Sequence, residues 1–412
     1  MKGIIKSIFG PTSSIGSSNG WFLNAFGNRS QAGTTVNDFS ALSLAPFFEC
    51  NRAISEDIAK IPKQVITRLP NNGRSIDETH VSFNTLTLQP NPIMTAITFY
   101  ETLMGHVLTH GNGYAEIEFF KNDRKRAKHL WPLPPNRVNP TKVKKSNGEV
   151  DVVYRVTFDD GSQRDLPKEN IIHIKGLGYD GLIGYSIIQY ATNAIGLGTA
   201  LEEFGSKFFS NGSQSGGYVT IPEGMQESEI ENLKTHYEQL NDGLDNAHRF
   251  KFLYDSVEFT PTSIKPEEAQ FLLTRVNQVK EIARFYRMPL HKLQESGDIS
   301  YSTAEQLNID YVNDTLMAWI VKWEQELKIK LFTDKRDANL FVNFNVNGLL
   351  RGDSIARANF YRTMIFSGAM NPNEARLEEE RPPYEGGDAF MKPANMNLIS
   401  DKEADANERV QD

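Results

Sequence analysis

The sequence predicts an α+β fold, and three observations carry that prediction. A block of period-two segments separated by hairpin turns fills the middle of the first half of the chain. Long stretches with apolar residues at helical spacing lie before and after it. Two of the long helical stretches flank a short insert that opens on the polar, glycine-rich run 210–217.

Residues 1–42, rich in Gly, Ser, Asn and Thr, read as a flexible N-terminal arm, because such a composition buries too little apolar surface to offset its ordering entropy. From Ser43 on, Leu44, Phe47, Ile54, Ile58 and Ile61 recur at helical spacing, and Pro62 ends that helix. A strand over 64–69 runs into a turn at 70–73, and a second amphipathic helix spans about 95–108. The strand 114–120 alternates with period two, a turn at 121–126 follows, and 130–133 returns. Ser146-Asn147-Gly148 joins strands 138–145 and 150–158, and Asp159-Asp160-Gly161 leads towards a strand at 171–175.

Residues 186–209 form a long helix. The insert after it holds strands at 218–221 and 250–253 around a helix near 226–240. Pro266, with Glu267 and Glu268 at the positive end, opens a second long helix that stops before Met288-Pro289. A polar loop at 294–301 precedes Ser302-Thr303-Ala304-Glu305, a capping box, and the helix it opens meets no Pro or Gly before Leu331, about 45 Å on. A strand at 340–344 precedes a helical pair. Gly368 ends the first of these helices, and Asn371-Pro372-Asn373-Glu374 caps the second.

With 412 residues the chain suits two or three domains. No apolar run approaches the ~20 residues of a spanning helix. The single cysteine, Cys50, forbids an internal disulfide and fits a reducing cytosol. From Glu378 onwards there are ten acidic and four basic side chains, a net of −6. Of the total of −8, only −2 is left for the 377 residues before them. A nearly neutral body lacks the basic footprint of a protein that grips nucleic acid by its phosphates.

Gly176-Leu177-Gly178-Tyr179-Asp180-Gly181 fits G-x-G-x-x-G, but the stretch 20 residues on is helix, not a strand ending in an acid, so it reads as a strand-to-helix turn. His106 and His110 stand four apart on a helix with no third ligand in view, and read as two partly exposed histidines. Gly16-Ser17-Ser18-Asn19-Gly20 has no strand before it to form a nucleophile elbow. Lys121, Arg124, Lys125, Arg126 and Lys128 read as a solvated hairpin tip, and Asp353 of Arg351-Gly352-Asp353 as a helix cap. No catalytic residue, metal or cofactor is expected from these patterns.

The order of the segments resembles the portal proteins of tailed bacteriophages, specifically the HK97-like portal family, from about Ser43 to Asn395. His110-Gly111-Asn112-Gly113-Tyr114-Ala115 is similar to the family's GNAY segment, and Leu130 to Val138 to its L-x-P-L-x-P-x-x-V strand. Gly181-Leu182-Ile183-Gly184-Tyr185-Ser186 resembles the G-x-S-P-L turn, with Ile187 where Pro is usual. Phe208-Phe209-Ser210-Asn211-Gly212 resembles FF-x-NG, and Ile282 to Pro289 resembles I-A-R-x-F-x-V-P. Ser302 to Gln306, Leu349 to Asp353 and Gly368 to Arg376 resemble three further family segments.

The resemblance implies a portal fold with an α/β wing (43–184), stem helices at 185–213 and 265–293, and a small α/β clip between them (214–264). It also implies a tunnel loop (294–301), a long wing helix with a returning strand (302–352), a short helical crown (353–384) and an acidic flexible tail (385–412). The implied function is a non-enzymatic ring, usually a dodecamer, at one capsid vertex of a virion assembled in the host cytoplasm. Double-stranded DNA is packaged through it by the large terminase subunit and later ejected. Further implied partners are the major capsid protein or scaffold and the head–tail connector; no membrane is implied. The residues expected to face the channel are Gln294, Glu295, Ser296, Gly297, Asp298, Ile299, Ser300 and Tyr301. Those expected to dock terminase or connector through the clip are Glu223, Gln226, Glu227, Glu229, Asn241 and Asp242. The rival readings are a head–tail adaptor or other structural ring and, behind these, a metal-dependent DNA-processing enzyme.

Overall fold

The structure is a computed structural model that describes residues 28–69, 74–145, 148–158, 160–210, 217–220, 228, 230–232, 235, 258–261, 268–293, 301–346, 354–379 and 381–391. The chain divides into two compact units, Met1–Ser300 with Ile309–Val346 and Tyr301–Asn308 with Asn347–Asp412.

The described part of the first unit begins with a two-stranded hairpin, β1 (Asn28–Arg29) and β2 (Thr35–Val36), and a short helix α1 (Asp38–Ser43) opened by a capping box from Asn37. This corrects the expected arm over 1–42 for its described part. Ser30, Val36 and Ala41 are buried, because the segment finds a partner in a distant helix that composition alone does not reveal. The helix α2 (Ala45–Lys60) buries Phe47, Ile54 and Ile58, and β3 (Lys63–Arg68) follows where Pro62 predicted the break. After β4 (Arg74–Ile76) comes α3 (Ser82–Thr87), a helix the sequence reading missed.

Helix α4 (Ala96–His110) packs on α2 and runs through Gly111 into β5 (Asn112–Phe120). Strand β6 (Asp123–Leu133) begins inside the expected turn at 121–126, because register shifts at Glu118 to Phe120 take up the reversal. Strands β7 (Val138–Lys144), β8 (Val150–Thr157) and β9 (Gln163–Pro167) form an antiparallel meander, with Gly148 and Gly161 at positive φ in its turns. Strand β10 (Ile171–Lys175) pairs with β5, giving the sheet order β10-β5-β6. Tyr114, Val138, Tyr154, Val156 and Leu166 join the two sheets in one apolar cluster.

The expected helix over 186–209 is broken at Ala191 into α5 (Ile187–Tyr190) and α6 (Thr192–Ser210). In the insert, β11 (Gly217–Thr220) pairs with β12 (Glu258–Pro261), a strand outside the expected ones. Residues 250–253 lie outside the described residues. Ser228, Ile230, Glu231, Asn232 and Thr235 are helical, inside the expected 226–240 helix.

Helix α7 (Glu268–Tyr286) returns antiparallel to α6. Helix α8 (Tyr301–Tyr311) starts at Tyr301, so Ser302 lies one residue inside it rather than ahead of it as a cap. A π-helical turn (Val312–Leu316) separates α8 from α9 (Met317–Leu331), and β13 (Leu340–Phe344) pairs with β3. The Tyr100 ring meets those of Trp323 and Phe344 edge to face at the centre of this core.

Helix α9 closes the open edges of two sheets at once. Lys322, Glu326 and Lys330, four residues apart, face β10. The Glu326 carboxylate accepts the His173 amide at 3.0 Å, while Lys322 donates to the Lys175 carbonyl at 2.9 Å and Lys330 to the Lys168 carbonyl. Glu324 and Lys328 face the other way. Glu324 accepts the Phe344 amide at 2.9 Å, and Lys328 donates to the carbonyls of Asp337, Ala338 and Leu340. A helix of alternating charge thus does the hydrogen bonding of a neighbouring strand.

The second unit holds α10 (Ser354–Phe366) and α11 (Pro372–Glu378). Gly368, at φ 71°, ends the first, and a capping box from Asn371 to Glu374 starts the second. Residues 381–391 were split between crown and tail in the sequence reading. They turn back instead onto α11, where the Asn373 side chain bonds the Tyr384 backbone and the Asp388 carboxylate.

Candidate functional site

The expected channel-facing residues Gln294, Glu295, Ser296, Gly297, Asp298, Ile299 and Ser300 lie outside the described residues, and Tyr301 is the first residue of α8. The clip residues Glu223, Gln226, Glu227, Glu229, Asn241 and Asp242 also lie outside them. What is described is the base from which both segments spring: the root of α6, the α6–α7 pair, and the end of α7.

The root is a knot of three backbones. Gly111 ends α4 at φ 75°, and its carbonyl accepts the Gly176 amide at 2.8 Å. The Asn112 side chain then reads both faces of Gly184, accepting its amide at 2.7 Å and donating to its carbonyl at 2.9 Å. A Cβ on Gly184 would stand 2.1 Å from the Gly111 oxygen, and one on Gly178 would stand 2.1 Å from the Ile183 oxygen. The G-x-G-x-x-G match is therefore filled by the protein's own backbone, with no room for a pyrophosphate on that side. It is the strand-to-helix turn expected from the sequence.

Behind the knot lies a fully buried histidine that sequence reading did not single out. His173 Nε2 is 3.1 Å from Asn112 Oδ1, and its Nδ1 is 3.1 Å from the Tyr154 hydroxyl. The Asn112 amide nitrogen is committed to the Gly184 and His110 carbonyls, so Oδ1 must accept from Nε2–H, and Nδ1 accepts from Tyr154. This fixes a neutral tautomer. Burial, with Lys175 and Lys330 nearby, holds His173 well below its ordinary pKa. The His-Gly-Asn-Gly run, with its two glycines, was the only signal for this centre in the sequence.

His106 and His110 do not converge on a common ligand position. Burial lowers the pKa of His106 to about 4 and lowers that of His110 as well, and His110 Nε2 lies 3.5 Å from the Asp38 carboxylate. Among the described residues, no group of three or more His, Cys, Asp or Glu side chains is placed to hold a metal ion. The basic hairpin is partly paired: Arg126 with Asp123 at 3.4 Å and Lys128 with Glu118 at 3.4 Å.

The helix pair α6–α7 is fixed by polar bonds as well as packing. Gln278 donates to the Ala194 carbonyl, and Arg275 lies 3.7 Å from Glu202. On the other side of α6, the β1–β2 hairpin seats in a notch at Gly196. Thr34 donates to the Gly196 carbonyl at 3.0 Å, and an added Cβ there would be 2.2 Å from Ser30. Helix α7 ends at Arg287, whose φ of 51° is the one positive value at a non-glycine residue among those described. Tyr286 donates to the Leu108 carbonyl at 3.1 Å, and Thr315, in the π-helical turn, donates to the Arg287 carbonyl at 2.7 Å. The arrangement positions helices.

Comparison with known proteins gives one consistent set of similarities. The family model described as phage portal protein matches residues 45–380. The portal protein of Enterobacteria phage HK97 is 30% identical over 375 residues, covering 89% of this chain and 86% of that protein. The probable portal protein of Streptomyces phage phiC31 is 28% identical over 90% of this chain and 82% of its own length. Among solved structures, a chain in the neck of a native gene transfer agent (GTA) particle, computed with C12 symmetry, superposes with a TM-score of 0.56 at 19% identity. That match covers 84% of this chain and 92% of the other.

Proposed function

The chain belongs to the phage portal protein family, and we propose that its copies close into a ring of twelve around a channel at one capsid vertex. Double-stranded DNA enters through that channel during packaging and leaves through it at ejection. The observation that carries the ring is the surface of the α6–α7 pair. These helices already satisfy each other through Gln278 and Arg275, yet Leu197, Leu273, Val276 and Phe285 stay exposed, Leu273 by 62%. A pair complete in itself and still apolar outside is what a helix needs when it is flanked by further copies.

In this reading the segment 294–301 lines the channel, and 214–264 meets the large terminase subunit during packaging and the connector afterwards. Scaffold or capsid protein surrounds the wing, and assembly takes place in the host cytoplasm. The near-neutral body of the chain suits a conduit that must let a polyanion slide, since each fixed phosphate contact would add a barrier to movement. Native mass spectrometry and electron microscopy of the purified protein test the proposal. A closed ring with a central opening is the expected result. Particles without an opening, or tight and salt-sensitive duplex capture by the isolated chain, would refute it.

A further inference from the structure

Between the knot and α5, residues 176–185 present apolar side chains that no other described residue of their unit covers. Leu177 is 80% exposed and Tyr179 is 91% exposed, while Tyr185 and Tyr190 stand ring to ring at 4.9 Å beside them. An ordinary surface loop would fold such side chains back or leave them on a mobile backbone. This loop does neither. The Tyr185 amide donates to the Leu177 carbonyl at 2.7 Å, and the Asp180 carboxylate accepts the amides of Leu182 at 2.9 Å and Ile183 at 3.2 Å. Lys175 donates to the Gly181 carbonyl at 3.0 Å, and Gly178 lies against Ile183 with no room for a side chain. The backbone is held on both sides, so the ordering cost of binding through this loop is already met, and rigid aromatic anchors of this kind dominate interface energies.

From this geometry we infer that the loop is the protruding half of the seam between neighbouring copies, with Leu177 and Tyr179 inserting into the surface of a second copy of this chain. The inference rests on the ring reading above. In a closed ring each copy must offer two different surfaces, one to each neighbour. The exposed apolar series continues from the loop through Tyr190 to Leu197 on α6, and appears again on α7 at Leu273 and Phe285. Within one copy Arg275 pairs with Glu202 and Arg284 with Glu281, which leaves neither helix with a net charge to hold a neighbouring copy off. Duplex DNA is the poorer occupant, since the bare side chains are apolar and the nearest charges are spent within the loop, Asp180 beside Lys142 at 3.8 Å and Lys175 on the Gly181 carbonyl.

The test is the double variant Leu177→Ser, Tyr179→Ser beside the parent, with ring mass followed by native mass spectrometry across a dilution series. Both side chains are bare, so the variant should keep the parent's thermal unfolding curve. Its half-assembly concentration should rise about tenfold or more. In a second arm, a benzophenone amino acid replaces Tyr179, which keeps an aromatic ring at the position, and is irradiated in assembled particles. Crosslinks between two copies of the chain support the inference. Crosslinks to DNA or to another virion protein, or a double variant that assembles at the parent's midpoint, overturn it while leaving the ring reading intact. A parent that never exceeds the monomer mass would remove the ring reading itself.

Discussion

Single residues hold this molecule in place where the chain crosses itself. Gly184 is the plainest case, because a methyl group there would stand 2.1 Å from a backbone oxygen that has no freedom to retreat. Gly184→Ala should cost about 3 kcal/mol or more in urea unfolding. Gly181→Ala, at φ 69° but with nothing within 4 Å, should cost only the roughly 1–2 kcal/mol of a left-handed alanine. Equal losses would mean that the knot is not the constraint. Lys63 makes a second prediction. Its ammonium donates to the carbonyls of Ile58 at 2.9 Å and Ala59 at 2.6 Å, lies over the ring of Tyr100, and has its pKa pulled down to about 7 by burial. Between that value and the ordinary lysine value near 10.4, the unfolded chain keeps the proton and the folded chain releases it. Stability from this group therefore rises with pH across the window and is lowest below about 7. Unfolding free energies measured from pH 7 to 10 should climb for the parent, and Lys63→Met should lack that part of the slope. Parallel profiles would refute the assignment. Neither residue announced itself in the sequence: Gly184 lay in a turn segment rich in glycine, and Lys63 lay just ahead of the expected strand 64–69 with no pattern to mark it as buried.

At the scale of elements, the bonds of α9 predict how the two sheets behave. Its Lys322, Glu326 and Lys330 face serves β10, and its Glu324 and Lys328 face serves β13. Burial raises the pKa of Glu324 and lowers those of Lys322 and Lys328. Glu326→Leu removes the acceptor of the His173 amide and should cost about 1–3 kcal/mol. Hydrogen exchange at residue 173 should quicken, while exchange at residue 344, bonded by Glu324, should stay slow. If both amides quicken together, the helix does not serve its two sheets through separate faces. The helix itself was legible, since nothing in 303–331 breaks a helical pattern. Its role was not, because alternating charge on a helix normally signals a solvated face. The hairpin β1–β2 was missed for a related reason. Its Gly- and Thr-rich sequence is what an unstructured arm also looks like, and only the notch at Gly196 gives it somewhere to sit.

At the scale of the whole molecule, the portal reading places residues 294–301 beside passing DNA, so charge there should matter more than shape. Glu295→Lys with Asp298→Lys should leave the ring mass unchanged, slow DNA translocation and steepen the salt dependence of duplex binding. Translocation at the parent's rate would show that these side chains do not face the channel. The sequence by itself determined the types of most elements, the α+β class and the family. Hydrophobic period, turn chemistry and helix caps are local properties, and the family resemblance was carried by short sequence segments in collinear order, from His110–Ala115 to Gly368–Arg376. Only the tertiary structure decided the knot, the double edge closure by α9 and the bare, rigid loop at the root of α6. Those depend on partners far apart in the chain, 72 residues between Asn112 and Gly184 and 153 between His173 and Glu326, and a local pattern carries no information about which distant backbone will arrive to complete it.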